Sequence, residues 1–418
     1  MSTAPRLPVE DALARIMSTV PVLDSERVAL TDALDRVLRE PVIARYTHPA
    51  HRNSAMDGYA VHADDMRGAA PGAPVTLPVG GTIAAGDKAP SAAPRGTAWR
   101  IMTGAPVPRG VDTVIRVEDT DAGLSQVVIR NARDAERNVR PAGEDFRDGD
   151  VLLAPATVLR PPHLGIAAGN GCSTLIVARR PRVAILSSGN ELVDVDQFDA
   201  VLAGERIINT NGYALEAAVR EAGGEPISLG IAEDDPGAIA ARITGAPEFD
   251  VLLTCGGISV GAFDYTRDVV QRLGATLDFW RVRMRPGGPF GFGMLGARPW
   301  FGLPGNPVSA LVTFEMFVRP ALRQMSGHPQ PTRPLIEVTV AEPVSTSGGL
   351  THFLRAIVRD DRTAHLTGPQ GSGLLTSMSH ANALLIVPHD VSYLPAGAPA
   401  RAILLTPGFP QMAVPWTF

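Results

Sequence analysis

The run Arg182-Val183-Ala184-Ile185-Leu186-Ser187-Ser188-Gly189-Asn190-Glu191-Leu192 decides the reading of the fold. Residues 183–187 are apolar without polar alternation and end in small hydroxylated side chains. That is the texture of a strand buried on both faces, as parallel sheets require. The chain that follows alternates in kind. A helix is predicted over 210–222, stopped by Gly223-Gly224, then a strand over 226–231 and a helix over 236–244. A strand over 249–254 runs into Cys255-Gly256-Gly257. A helix over 263–273, a strand over 275–284 and a long helix over 308–325 complete the series. Such β-α-β alternation predicts a three-layer open α/β domain, whose ligands bind beyond the carboxyl ends of its strands.

Working outward, the texture changes on both sides. Residues 42–140 carry short β-like runs broken by Gly and Pro, at 58–61, 74–79, 98–102, 112–117 and 126–129, and predict a small all-β domain. Before it, apolar residues recur at helical spacing over 8–39, and Thr31-Asp32-Ala33-Leu34-Asp35 reads as a cap opening a helix. After the Pro-rich join 328–334, strand-length runs at 335–340, 353–359, 383–387 and 400–405 predict a C-terminal β-barrel.

Composition narrows the function. The 418 residues hold 38 basic and 43 acidic side chains, a net charge of -5, which argues against a protein that coats nucleic acid. Apolar runs are strand-length, short of the roughly 20 residues of a membrane helix. The start reads as an amphipathic helix, not a signal peptide, and two cysteines without a CxxC pair suit a reducing compartment, so a cytoplasmic protein is expected. Lys88 is the single lysine, and it lies in a Gly/Ala/Pro-rich loop. Schiff-base and Walker-type chemistry therefore lack a candidate, and an anionic ligand must be held by arginines or backbone amides. No HExxH or Walker A motif is present, and the spacing of His48, His51 and His62 matches no strong metal pattern.

The loops at the predicted strand ends carry the chemistry. Ser187, Ser188 and Gly189 can donate to a phosphate while Glu191 faces the same crevice; a helix cap with a surface Glu is the alternative. Glu233-Asp234-Asp235-Pro236 has more carboxylates than one cap requires. Gly256, Gly257 and Ser259 allow close approach to an anion, and Asp264 beside them suits a bridging Mg²⁺; a Gly-rich turn capped by Asp264 would look the same. Gly302-Leu303-Pro304-Gly305-Asn306-Pro307 is a stiff elbow, and Arg283 and Arg285 offer charge for an oxyanion. Together the loops point to a nucleotide- or phosphate-bearing ligand with a metal.

Seven strings stand in one order: NSAMDGYAV (53–61), MTGAPVP (102–108), VRPAGEDFRDGD (139–150), SSGNEL (187–192), CGGISVGAFDY (255–265), GLPGNPVSA (302–310) and QGSGLLTSMSHANALLIVP (370–388). In this order they resemble the molybdopterin molybdenumtransferase family, the bacterial MoeA proteins and the gephyrin E-domain. The resemblance implies a homodimer whose chain is multidomain α/β plus β. A helical linker domain would comprise 8–45 and 141–179, with an inserted β-domain at 46–140. An α/β domain similar to the molybdopterin adenylyltransferases would span 180–328, and a C-terminal β-barrel 329–418. It further implies that molybdenum from molybdate is inserted into adenylylated molybdopterin, with Mg²⁺ or another divalent cation assisting and AMP released. A molybdopterin adenylyltransferase would be the pathway partner, with neither nucleic acid nor membrane involved. A scaffold of the same fold with weak chemistry is the alternative.

Carried onto this chain, the resemblance gives catalytic roles to Asp57, Thr103, Glu191, Asp234 (or Asp235) and Asp264, with Glu191 and Asp264 on the metal. Asp57 and Thr103 would act from across the dimer. Ser187, Ser188, Gly189, Gly256, Gly257, Ser259, Arg283, Arg285, Pro304 and Pro307 would bind the substrate. Four positions depart from the family's pattern: Asn190 and Ala262 stand where acids are common, and Arg285, which keeps the charge, and Gly288, which removes it, stand where lysines are.

Overall fold

The computed structural model describes residues 6–88, 90–257 and 265–406. Two compact units emerge, one of Met1–Val28, Ala33–Arg39 and Ile176–Phe418, the other of Ala29–Asp32 and Glu40–Leu175.

The larger unit contains a six-stranded sheet in the order Glu225–Ala232, Arg182–Ser188, Val251–Cys255, Arg298–Leu303, Pro289–Leu295, Ala275–Arg281. The first four strands are mutually parallel. Side chains alternate across the sheet, so consecutive apolar residues supply two different cores. Val183 and Ile185 face the helices Thr210–Glu221 and Val9–Thr19. Ala184 and Leu186 face Pro236–Thr244 and Tyr265–Arg272. This double burial is why the run at 183–187 has no polar alternation.

Two elements differ from the sequence-based expectation. The antiparallel hairpin Pro289–Leu295 and Arg298–Leu303 was not anticipated, because its glycines mask the strand pattern. Those glycines are there for close approach: a Cβ at Gly291 would lie 2.7 Å from the Trp280 ring, and one at Gly293 2.4 Å from the Thr276 carbonyl oxygen. The helix expected from Thr31 onward is absent. Ser25–Ala29 is a strand, Leu30–Asp32 a 3₁₀ turn, and Asp35 has φ of 60°. Here tertiary anchoring overrides local propensity, since the Arg36 guanidinium is buried and donates to Glu26 and to the Ala178 carbonyl. The long helix forms as Pro307–Thr313 and Arg319–Met325 joined by a π-turn at Phe314–Val318. The wider turn makes room for Pro320, whose ring would otherwise press on a carbonyl one turn back.

Five C-terminal strands close into a barrel. Thr351–Val358 pairs with Thr363–Leu366, which pairs with Leu335–Val340; Pro399–Leu404 and Ala383–Val387 complete the ring back to Thr351–Val358. Closure leaves no free edge and encloses an apolar interior of Val338, Ala356, Leu385 and Ala402. Met284–Arg285 adds a short parallel pairing to Thr351–His352, joining barrel and α/β sheet.

The smaller unit holds a five-stranded sheet in the order Thr113–Arg116, Gly58–Val61, Ala98–Ile101, Val75–Ile83, Gln126–Ile129. It is an insertion: Val42–Ile43 before it pairs with Val151–Leu153 after it, and helix Pro161–Gly169 follows. Asp134 is 2% exposed and accepts from Arg116 Nε at 2.8 Å and Nη2 at 2.9 Å. The Arg116 guanidinium holds its carboxyl below the usual 3.8, against the opposing effect of burial. A depressed folded-state pKa contributes stability above the unfolded value, which is lost as pH falls through the folded one. Acid unfolding of this unit should therefore steepen below pH 3.8, and Asp134→Asn should flatten that limb in circular-dichroism titrations.

Candidate active site

The carboxyl ends of the parallel strands open onto a cavity of about 470 Å³. Ser187, Ser188, Gly189, Glu191, Asp234, Gly256, Gly257, Pro304 and Pro307 all line it. A second cavity of about 660 Å³ is lined by Arg6, Arg281 and Arg285 and shares Pro289, Asn306 and Ser309 with the first. The two are lobes of one groove, acidic and hydroxyl-bearing at one end and cationic at the other. Arg283 is not among the residues lining either lobe; its main chain bonds to Leu7 and Thr351. Ser259 and Asp264 lie outside the described residues.

Ser187 stands out chemically. It is 2% exposed, and among the described residues its hydroxyl has no hydrogen-bond partner although it sits at the cavity wall. A buried hydroxyl without a partner costs free energy, which a ligand oxygen would recover. Beside it, Gly256 and Gly257 have φ of 92° and 62°. A Cβ at Gly256 would fall 2.5 Å from the Ser188 carbonyl oxygen, and one at Gly257 2.4 Å from Thr266 Oγ1. Both the backbone conformation and the space exclude any other residue. Gly256→Ala should push the loop into the cavity and weaken ligand binding at least about tenfold, since roughly 1.4 kcal/mol of strain suffices. Titration calorimetry with AMP would read the loss, and unchanged affinity would contradict the assignment of this loop to the ligand.

The acids separate by role. Asp235 is the N-cap of Pro236–Thr244, its carboxylate accepting from the Ala238 amide at 2.8 Å. Asp234 lines the cavity instead. Asn190 pairs reciprocally with it: the Asn190 main-chain N–H donates to Asp234 Oδ2 at 3.3 Å, and the Asp234 main-chain N–H donates to Asn190 Oδ1 at 3.0 Å. A neutral side chain at 190 thus ties two loops together without adding a second charge next to Asp234.

Residues missed in the sequence include Asn209, Asn211 and Cys255, all at the cavity wall. The Asn-Thr-Asn-Gly run opening a helix was a usable signal, although Asn209 alone would have read as a cap, and it does accept from the Gly212 amide at 3.1 Å. Burial pushes the Cys255 thiol up to about 12, only partly offset by donation from Asn211, so it is no nucleophile at neutral pH.

In the smaller unit Asp57 and Thr103 meet. The Thr103 amide and hydroxyl both donate to Asp57 Oδ1 at 2.7 Å. The hydroxyl first, then the amide, keeps this exposed carboxyl below its usual range. The two loops are also joined through the Gly104 amide, which donates to the Ser54 carbonyl at 2.8 Å. Asp57 is therefore an ionised carboxylate fixed in direction. His62 is buried, with Nε2 3.1 Å from the Ala93 carbonyl oxygen.

Among the described residues, no group of three His, Cys, Asp or Glu side chains converges as a metal site. Nor is any helix there long and apolar enough to cross a membrane. Glu191 and Asp234 nevertheless share one cavity, and two carboxylates are the share a protein ordinarily gives Mg²⁺, with ligand phosphates and water completing the shell.

Comparison with known proteins agrees along nearly the whole chain. Residues 7–171 match the MoeA N-terminal region (domain I and II), 184–324 a probable molybdopterin binding domain, and 337–405 the MoeA C-terminal region (domain IV). A Mycobacterium tuberculosis protein named molybdopterin molybdenumtransferase 2 is 38% identical over 388 residues, covering 91% of this chain and 95% of that one. A Nostoc molybdopterin molybdenumtransferase is 35% identical over 405 residues, covering 93% and 92%. The crystal structure of the MoeA protein from Pyrococcus horikoshii superposes with a TM-score of 0.82 at 27% identity, covering 96% of this chain and 100% of that one. On these matches the chain belongs to the MoeA family of molybdopterin molybdenumtransferases.

Proposed function

We propose that the protein acts in molybdenum cofactor biosynthesis, inserting molybdenum from molybdate into adenylylated molybdopterin and releasing AMP. The observation that carries this reading is the buried Ser187 hydroxyl, without a partner among the described residues, at the wall of a groove bearing both carboxylates and arginines. Such a groove suits a ligand with a phosphate at one end and an oxyanion at the other. Ser187 and the glycine loop would take the phosphate side. Molybdate, repelled by carboxylates, would be drawn to Arg281 and Arg285 in the neighbouring lobe. Glu191 and Asp234 would hold Mg²⁺, with Asp264 in addition. When bound, the ion supplies neutralisation of the charge that grows on phosphoryl oxygens as the anhydride is cleaved.

The reading extends to assembly. The four domains divide at 45/46, 140/141, 179/180 and 328/329, and two copies pair as a homodimer in the cytoplasm. The fixed Asp57 carboxylate then faces the groove of the partner subunit and positions water or moves a proton there. The adenylylated substrate would come from a molybdopterin adenylyltransferase. The test is AMP release from adenylylated molybdopterin with and without molybdate, in Mg²⁺. Release only with molybdate is expected. Tight binding without release would instead favour a pterin-holding scaffold, the reading that Asn190, Gly288 and Ala262 motivate.

A further inference from the structure

We infer that Asn211 and Cys255 are positioning residues: they latch the Pro304–Gly305 elbow so that it forms the wall of the groove in a ligand-ready shape. Asn211 stands in the first turn of the helix Thr210–Glu221, and Cys255 is the last residue of the strand Val251–Cys255. The Asn211 amide nitrogen donates to the Gly305 carbonyl at 2.7 Å and to Cys255 Sγ at 3.1 Å. The thiol in turn donates to the Pro304 carbonyl at 3.3 Å. Both carbonyls of the elbow are thereby held by one small network rooted in the strand and the helix.

Planar peptides convert that hold into a direction. In a trans peptide the carbonyl and the following N–H point opposite ways. Anchoring the Pro304 and Gly305 carbonyls on the latch therefore turns the Gly305 and Asn306 N–H groups away from it. Residues 304–307 line the cavity, so the latch sets which backbone groups a ligand meets. On the other side the elbow runs beside the glycine loop, whose Gly256 amide donates to the Leu303 carbonyl at 3.2 Å. Burial keeps the thiol protonated through the neutral range, which preserves its donor role.

The inference deepens the proposed function, and its test separates the two. Three variants are compared with the parent: Asn211→Ala, Cys255→Val, which stays apolar and is somewhat larger but has no donor, and Cys255→Ser, which keeps a donor. Binding and KM are measured with adenylylated molybdopterin, and amide hydrogen exchange is followed across residues 303–307. Asn211→Ala and Cys255→Val should weaken binding about tenfold, the worth of a buried hydrogen bond or two, with kcat changed far less. Exchange at the elbow should quicken in both, while Cys255→Ser stays within about threefold of the parent in binding, about 0.65 kcal/mol by the same conversion. A purely space-filling cysteine would show the reverse, with Val tolerated, Ser harmful and elbow exchange unchanged, and that pattern overturns the inference. If the parent binds no adenylylated molybdopterin, the proposed function has failed, and elbow exchange alone decides the latch. Faster exchange in Asn211→Ala and Cys255→Val supports it; unchanged exchange overturns it.

Discussion

Asp57→Ala should lower molybdate-dependent AMP release at least about 100-fold, and Glu191→Ala should do the same, while each protein should keep the parental far-ultraviolet spectrum. Placed general acids, bases and charge-stabilising groups typically contribute factors of about 100 or more, which sets the magnitude. Asp57 is exposed, and its hydrogen bonds come from Thr103, so removing it leaves little buried polarity unsatisfied. Glu191 lines the strand-end cavity, and its loss should also raise the Mg²⁺ concentration needed for half-maximal rate. The two sites lie in different compact units, which allows a complementation experiment. Mixed dimers of Asp57→Ala and Glu191→Ala chains should regain a fraction of activity, because one of the two composite sites would be intact. Purified heterodimers with no recovery would rule out the cross-subunit arrangement.

Arg355→Ala should destabilise the C-terminal barrel by about 3–5 kcal/mol, the largest stability effect expected of a single substitution here. Arg355 is fully buried on the strand Thr351–Val358, and its guanidinium faces carbonyl oxygens where a carboxylate would be usual. It donates to Pro369 at 3.0 Å, Gln370 at 3.1 Å and Gly371 at 3.0 Å, and to the Ser377 hydroxyl at 3.2 Å. Removing it takes the donor from three carbonyls of a partly exposed loop, at roughly 1 kcal/mol each, and leaves a cavity beside the strand. The cost of holding this charge away from water already lowers its pKa. Lysine cannot span the same carbonyls, so Arg355→Lys should lose most of the stabilisation too. Urea unfolding monitored by exchange in the barrel strands would measure both variants. Since Gln370 and Gly371 also line the cationic lobe, oxyanion affinity should fall alongside stability.

Much of the architecture was legible in one dimension because the relevant signals are local. The unbroken apolar run at 183–187 and the helix stop at Gly223-Gly224 declared an α/β sheet, and the Gly/Pro-broken runs at 58–129 declared a β-domain. Pro236–Thr244 starts where Asp235-Pro236 says it should, since capping and a fixed proline φ need no tertiary partner. The hairpin at 289–303 and the segment at 25–38 were not legible. In the first, glycines serve contacts with Trp280 and Thr276 from a distant strand; in the second, Arg36 obeys Ala178, 142 residues away.

The site divides along the same line. Sequence alone supplied the residue types and their loops: the serines at 187 and 188, the glycine pair at 256 and 257, the acids at 191 and 234–235, and the Pro304–Pro307 elbow. Only the tertiary structure separated Asp234 from Asp235, left Arg283 off the groove in favour of Arg281 and Arg285, and brought in Asn211 and Cys255. Spacing along a chain reports turns and caps, whose partners lie within a few residues. Which carboxylate faces a cavity, and which thiol holds a loop, depends on strands and helices that meet only when the sheet assembles.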